Sequence, residues 1–161
     1  MAYYFRAFCT EATPPALAQV LDWVRERGVS LAVDPGDSTA GAGTPNWGET
    51  PVGLIYAEGN APFSAEVNVN EGPDSLAAQE INEFIEMLQI AKKSRKRDGV
   101  IDHLRRTKFI VPCRIPIADF ADAGFHALDV FLAYFLVHCG GMVQADGQGF
   151  YEGGKLIVEI E

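Results

Sequence analysis

Residues 2–9, AYYFRAFC, and 108–115, KFIVPCRI, decide how the chain is read. Both are rich in aromatic or β-branched side chains and read as strands, the first bounded by a polar turn. Pro112, inside the second, predicts an edge position or a bulge, because proline gives no N–H to a ladder. Behind the first strand, Thr13-Pro14-Pro15 is the expected helix start, with Thr13 as N-cap. Leu17, Val20, Leu21 and Val24 follow at helical spacing, and Gly28 is the expected stop. Behind the second, a helix runs from about Asp119 or Asp122 to His138 and stops at Gly140-Gly141.

The parallel extends further. GVSLAVDPG (28–36) and GLIYAE (53–58) follow the first helix, and GGMVQADGQG (140–149) and KLIVEI (155–160) follow the last. Gly28 precedes Asp34, and Gly140 precedes Asp146, by the same interval. The expectation is one α+β domain over 1–161, with pseudo-repeats at 2–58 and 108–160 joined by a strand at 62–69 and helical sequence at 74–106. In that helical sequence the basic run 92–97 ends the first helix, Asp98-Gly99 breaks it, and a short helix follows at 100–106. An antiparallel-rich sheet of six or seven strands, with about three helices on one face, then forms a duplicated βαββ, ferredoxin-like arrangement.

A chain of 161 residues and 17.5 kDa is one domain's worth. With 48% apolar and 22% charged residues it falls among globular proteins and outside the disordered and fibrous classes. Three widely spaced cysteines without a C-x-x-C pair read as small buried hydrophobes. No basic segment followed by a long apolar stretch opens the sequence, and the longest apolar run, Leu128–Val137, is too short to span a bilayer. A soluble, reduced, cytoplasmic protein is expected.

The stretch from Gly140-Gly141 through Asp146-Gly147 to Gly149-Phe150-Tyr151 resembles the ending of a family of small bacterial cytosolic proteins. In these a Gly-Gly, a strand, Asp-Gly-x-Gly-Phe-Tyr and a last hydrophobic strand close the chain. The resemblance covers about the last quarter of the sequence and implies a bacterial, cytosolic protein; it transfers no activity.

Charge is unevenly distributed. The net value is −9, yet residues 92–108 carry +6 and the remainder −15. Lys92, Lys93, Arg95, Lys96, Arg97, Arg105 and Arg106 therefore form a candidate interaction surface for an acidic protein partner or for the protein's own acidic surface. The bland alternative is a solvated helix end whose cations complement the helix dipole. Nucleic acid is disfavoured, since no aromatic interleaves Lys92–Arg106 and the acidic remainder repels phosphate.

Catalytic patterns are sparse. His126 and His138 sit 12 residues apart, on different sides of one helix, so no metal or other cofactor is expected. Were the protein an enzyme, Asp34, His103, His138 and Cys139 would be the first side chains to test. The glycine-rich loop 36–48 lacks the lysine and hydroxyl of a phosphate loop. It reads as a mobile surface loop or, alternatively, as a lid over a pocket, in which Trp47, with Asp34, Asp146 and Tyr151, would touch a ligand. The last helix is apolar on every side and needs covering twice, so Phe131, Tyr134 and Val137 are the expected contacts of a homodimer. Together these features favour a non-catalytic binding or protein-interaction module. The alternative is a small-ligand domain with its pocket between sheet and helices, and an enzyme comes third.

Overall fold

The computed structural model describes residues 3–35, 47 and 50–160. In chain order the elements are β1 (Tyr3–Cys9), α1 (Leu17–Glu26), β2 (Ala32–Val33), β3 (Val52–Ile55), β4 (Phe63–Ala65), β5 (Asn68–Val69) and α2 (Leu76–Ile90). Then come α3 (Arg95–Arg105), β6 (Phe109–Ile115), α4 (Asp122–His138), β7 (Met142–Ala145), β8 (Gly149–Glu152) and β9 (Lys155–Glu159). Apart from Trp47, the described residues do not include most of the 36–48 loop, so its expected role as a lid lies outside them.

The two strands singled out by sequence lie side by side at the centre. β1 pairs antiparallel with β6 on one edge and with β7 on the other. From there the sheet runs out to β4, β3 and β2 in one direction and to β8 and β9 in the other. β5 pairs with β6 in the register that β4 sets, so β4 and β5 are two pieces of one interrupted strand.

Among the described residues every pairing is antiparallel, and the sheet has nine strands rather than the expected six or seven and is covered on both faces. Ala7 and Cys9 of β1, with Phe109, Val111 and Cys113 of β6, pack into one cluster with α1 and α4. Phe8 and Ile110, which point the other way, pack with Ile81, Phe84, Val100 and Leu104 of α2 and α3. The expectation of about three helices on one face is therefore corrected to four on two. A strand covered on both faces reads as a nearly continuous apolar run, which is what β1 and β6 show.

The sheet order does not bear out the duplicated, ferredoxin-like arrangement. β2 lands on the far edge while its sequence counterpart β7 lies against β1. On one side the chain fills positions from the edge inward (β2, β3, β4), and on the other from the centre outward (β7, β8, β9).

Two helix starts also differ from expectation. α1 begins at Leu17 with Ala16 as an N-cap lacking a side-chain bond, not at Thr13. Thr13 and Pro14 each precede a proline, which disfavours the helical conformation at both. The basic run opens a helix instead of closing one. α2 ends at Ile90, and Ser94 caps α3 by accepting the Arg97 N–H at 3.0 Å, with Asp98 and Gly99 inside α3. Gly28 and Gly140 are the stops expected of them, at φ of +83° and +63°.

Pro112 is neither on an edge strand nor in a bulge. In β6 it lies opposite Glu66, whose N–H donates to the Pro112 carbonyl at 3.3 Å. The N–H that proline lacks would have faced the same way, so the ladder breaks at Glu66–Val67, between β4 and β5. On its other side Pro112 faces Arg6 in a pair that exchanges no main-chain bonds. A central strand tolerates this proline because its partner strand is the one interrupted.

Candidate functional site

The broken strand forms one wall of a cleft of about 750 Å³. Its other walls are the entry to α1 (Pro14, Pro15, Ala16), the start of α2 (Ser75, Leu76, Ala77) and Trp47. Glu66, Asn68 and Asn70 turn their main-chain groups toward β6, as the Glu66 and Asn70 N–H bonds to Pro112 and Lys108 show. Val67 and Val69 consequently turn theirs away from it, along the line where β4 is met by β3. β3 begins only at Val52, after Pro51, and among the described residues no main-chain group answers Val67 or Val69. Asn68 is 8% exposed and lines the cleft.

Beside the cleft, Arg6 rises from β1 into a set of polar partners. Its guanidinium donates to Glu80 of α2, to the Gln144 side-chain oxygen at 2.7 Å and to Asp146 at 2.7 Å. It also lies 5.0 Å from the centre of the Tyr4 ring and 5.3 Å from that of Phe84. Asp146 in turn accepts the Tyr4 N–H at 3.1 Å. Glu66, half-buried at the break, has its carboxyl pushed above the usual range by desolvation and by the nearby Glu80. Arg6, Glu80 and Gln144 escaped the sequence reading, whereas Glu66 was among the acids considered as a general base or cation ligand. Arg6 was the available signal: a lone cation within AYYFRAFC has to find carboxylates once buried.

The four residues expected to touch a ligand are not brought together. Asp34 and Asp146 stand at opposite ends of one row across the sheet, through Gly53, Ser64, Arg114 and Tyr4, about 24 Å apart at ~4.8 Å per strand. Trp47 is a core residue at the cleft, donating its indole N–H to the Pro15 carbonyl at 3.0 Å and packing on Phe131 and Phe135. Tyr151 lines a separate apolar groove with Phe5, Phe125 and Asp129, on the face that α4 occupies.

The expected dimer contacts divide as well. Phe131 is wholly buried against Trp47 and Phe63, and Tyr134 is buried beneath Trp23. Only Val137 is exposed. Phe131 and Tyr134 are thus covered from within the chain, by α1, Trp47 and the sheet, and do not call for a second copy at those positions, while Val137 and Phe125 of α4 stay exposed.

The candidate catalytic groups serve the fold. His103 donates its Nε2–H to the Phe8 carbonyl at 2.8 Å, and desolvation lowers its pKa. Cys9 and Cys113 are fully buried, which pushes their thiols up, and Cys139 is pushed up to about 11 by burial and by Glu11. His138 packs edge-on against Trp23 and tilted against Tyr134, which also touch each other. Among the described residues no three His, Cys, Asp or Glu side chains converge as metal ligands, and no helix is long and apolar enough to cross a membrane.

The basic cluster is a surface with one exception. Arg97 folds back to pair with Asp98 at 3.0 Å and to donate to the Ala91 carbonyl at 3.2 Å, closing the gap between α2 and α3. Lys92, Lys93, Arg95, Lys96, Arg105 and Arg106 are exposed. Arg106 is paired with Asp102 at 3.1 Å. A groove of about 460 Å³ lies beside them, where Arg95, Lys96 and Arg106 rim Met142 and Ile157, with Glu152 also on its wall. No family model, curated protein or solved structure matches the chain.

Proposed function

We propose that the chain is a non-catalytic binding module that takes an acidic protein partner on the exposed face of α3. The observation that supports it is the position of Arg95 and Lys96 in the first turn of that helix. There the helix dipole opposes positive charge by about 0.3–1 kcal/mol per side chain, so the cations are held against local electrostatics. Charges placed in that way serve something outside the helix. Met142 and Ile157 add an apolar floor to the cationic rim, the pairing an interface with a charged periphery uses. The test is capture from native lysate by the protein and by its Lys92→Glu, Lys93→Glu, Arg95→Glu, Lys96→Glu variant. A partner retained by the first, lost by the second and displaced by soluble polyglutamate supports the proposal. Equal retention by both proteins refutes it.

A small-ligand domain is the second reading, and the cleft of about 750 Å³ between sheet and helices is what favours it. A compound that raises the melting temperature of the wild type but not of a Leu76→Arg variant would support it.

A further inference from the structure

We infer that the groove between α3 and the strands β7, β8 and β9 seats one apolar side chain of the acidic partner, presented from an extended segment with carboxylates on both sides of it. This rests on the reading of α3 as the surface for an acidic protein, and it specifies the kind of segment that surface takes.

Two observations carry it, and the first is Gly99. It lies inside α3 and lines the groove with Met142 and Ile157, and among the described residues a Cβ placed on it would meet nothing within 4 Å. Its φ is not left-handed, so the backbone there accepts any L residue. Glycine weakens a helix interior relative to alanine, so the fold gains nothing from this one. What the missing side chain does is leave the way open to the apolar floor.

The second is the order of charge along the groove. Arg95, Gly99, His103 and Arg106 follow one another on one face of α3, so a cation stands at each end of that face with the glycine between them. At about 1.5 Å per residue the two arginines are roughly 16 Å apart along the helix. In an extended segment the residues two places before and after a central one point to the same side as it does, and they are about 13 Å apart. Acids at those places reach both guanidinium groups while the central side chain enters over Gly99. Lys96 adds a third cation to the rim, and Arg106 is held only by an exposed pair with Asp102. His103 is fixed by its bond to the Phe8 carbonyl and serves as wall. Glu152, the carboxylate that lines the opposite wall, repels the acids of the segment and keeps them on the α3 side.

The test uses the whole protein and two labelled peptides with blocked ends, read by fluorescence anisotropy. One carries a leucine and the other a serine between two pairs of glutamates. The leucine peptide should bind at least about tenfold more tightly, the difference that burial of its side chain supplies. Gly99→Leu fills the groove from α3 and should abolish that preference, with the melting temperature unchanged or raised. Gly99→Ala stiffens the helix but leaves the floor accessible, and should keep the preference. Glu152→Gln should tighten both peptides. Equal affinities of the two peptides for the wild type overturn the inference, as does a leucine preference that survives Gly99→Leu or is lost equally in Gly99→Ala. The inference and the reading beneath it fail differently. If only the groove is wrong, both peptides bind alike and both are lost on charge reversal at Lys92, Lys93, Arg95 and Lys96. Binding of neither peptide at about 1 mM overturns the inference and counts against the reading of α3 as well.

Discussion

Pro112 accepts a hydrogen bond from the Glu66 N–H at 3.3 Å and has none to give back. That one-sided pair, inside the sheet formed by the described strands, splits β4 from β5 at one wall of the cleft. Pro112→Ala supplies the missing donor but also releases the unfolded chain from proline's restriction. The two effects oppose each other at about 1 kcal/mol or less each, so the change in unfolding free energy should stay within about 1 kcal/mol. Urea denaturation measures it, and a loss beyond about 2 kcal/mol would mean that the proline supports the sheet in some other way.

Arg6 should behave differently from the other paired arginines. Its side chain is 14% exposed and that of Glu80 19%, whereas Arg25 and Asp22 are both 66% exposed. Arg6→Met leaves Glu80 and Asp146 without their cation, and we expect a loss of about 3 kcal/mol. Arg25→Met should cost less than about 0.5 kcal/mol. Adding Glu80→Gln to Arg6→Met should recover part of the loss, since the carboxylate left unpaired is removed. Equal effects of the two arginine substitutions would contradict the assignment.

Some of this was legible beforehand and some was not. Gly28 and Gly140 mark helix ends through local chemistry, and they stop α1 and α4 where expected. Ser94 is a local signal too, but Lys92 and Lys93 just before it look like the end of a helix rather than a linker, so α2 and α3 were read with the boundary displaced. Pairing is nonlocal. Whether Val67 meets another strand depends on where Pro51 and Pro112 fall in space, and no periodicity within 62–69 carries that information. The burial of Trp47 likewise follows from the packing of α4 rather than from the polar loop around it.

Glu66 predicts a pH dependence. Its pKa in the folded protein lies above the unfolded value, through desolvation first and Glu80 second. Between those two values the native state binds more proton than the unfolded state, so stability falls as pH rises through that interval. Below the unfolded pKa, about 4.3, the wild type and Glu66→Gln should be nearly equal in stability. Above the folded pKa the variant should be the more stable. Urea midpoints at about pH 4 and about pH 7.5 test this, and a variant less stable than wild type at the higher pH would refute it.

The thiols should be inert in the native state. Cys9 and Cys113 are fully buried, and Cys139 is 4% exposed with its thiol pushed up to about 11. Thiolate is the reactive form, so iodoacetamide at about pH 8 should label none of them in the folded protein and all three after unfolding, as counted by mass spectrometry. Rapid labelling of Cys139 in the folded protein would restore it as a candidate nucleophile.

The placement of β1 also governs how the molecule can be made. Tyr3–Cys9 is synthesised before both of its partners, Phe109–Ile115 on one edge and Met142–Ala145 on the other. Both loops must close before its main-chain groups are satisfied, and long-range antiparallel pairing of that kind is slow. During synthesis β1 stays an unpaired, aromatic-rich segment until Met142–Ala145 has emerged, which is the interval in which a chaperone would have something to hold.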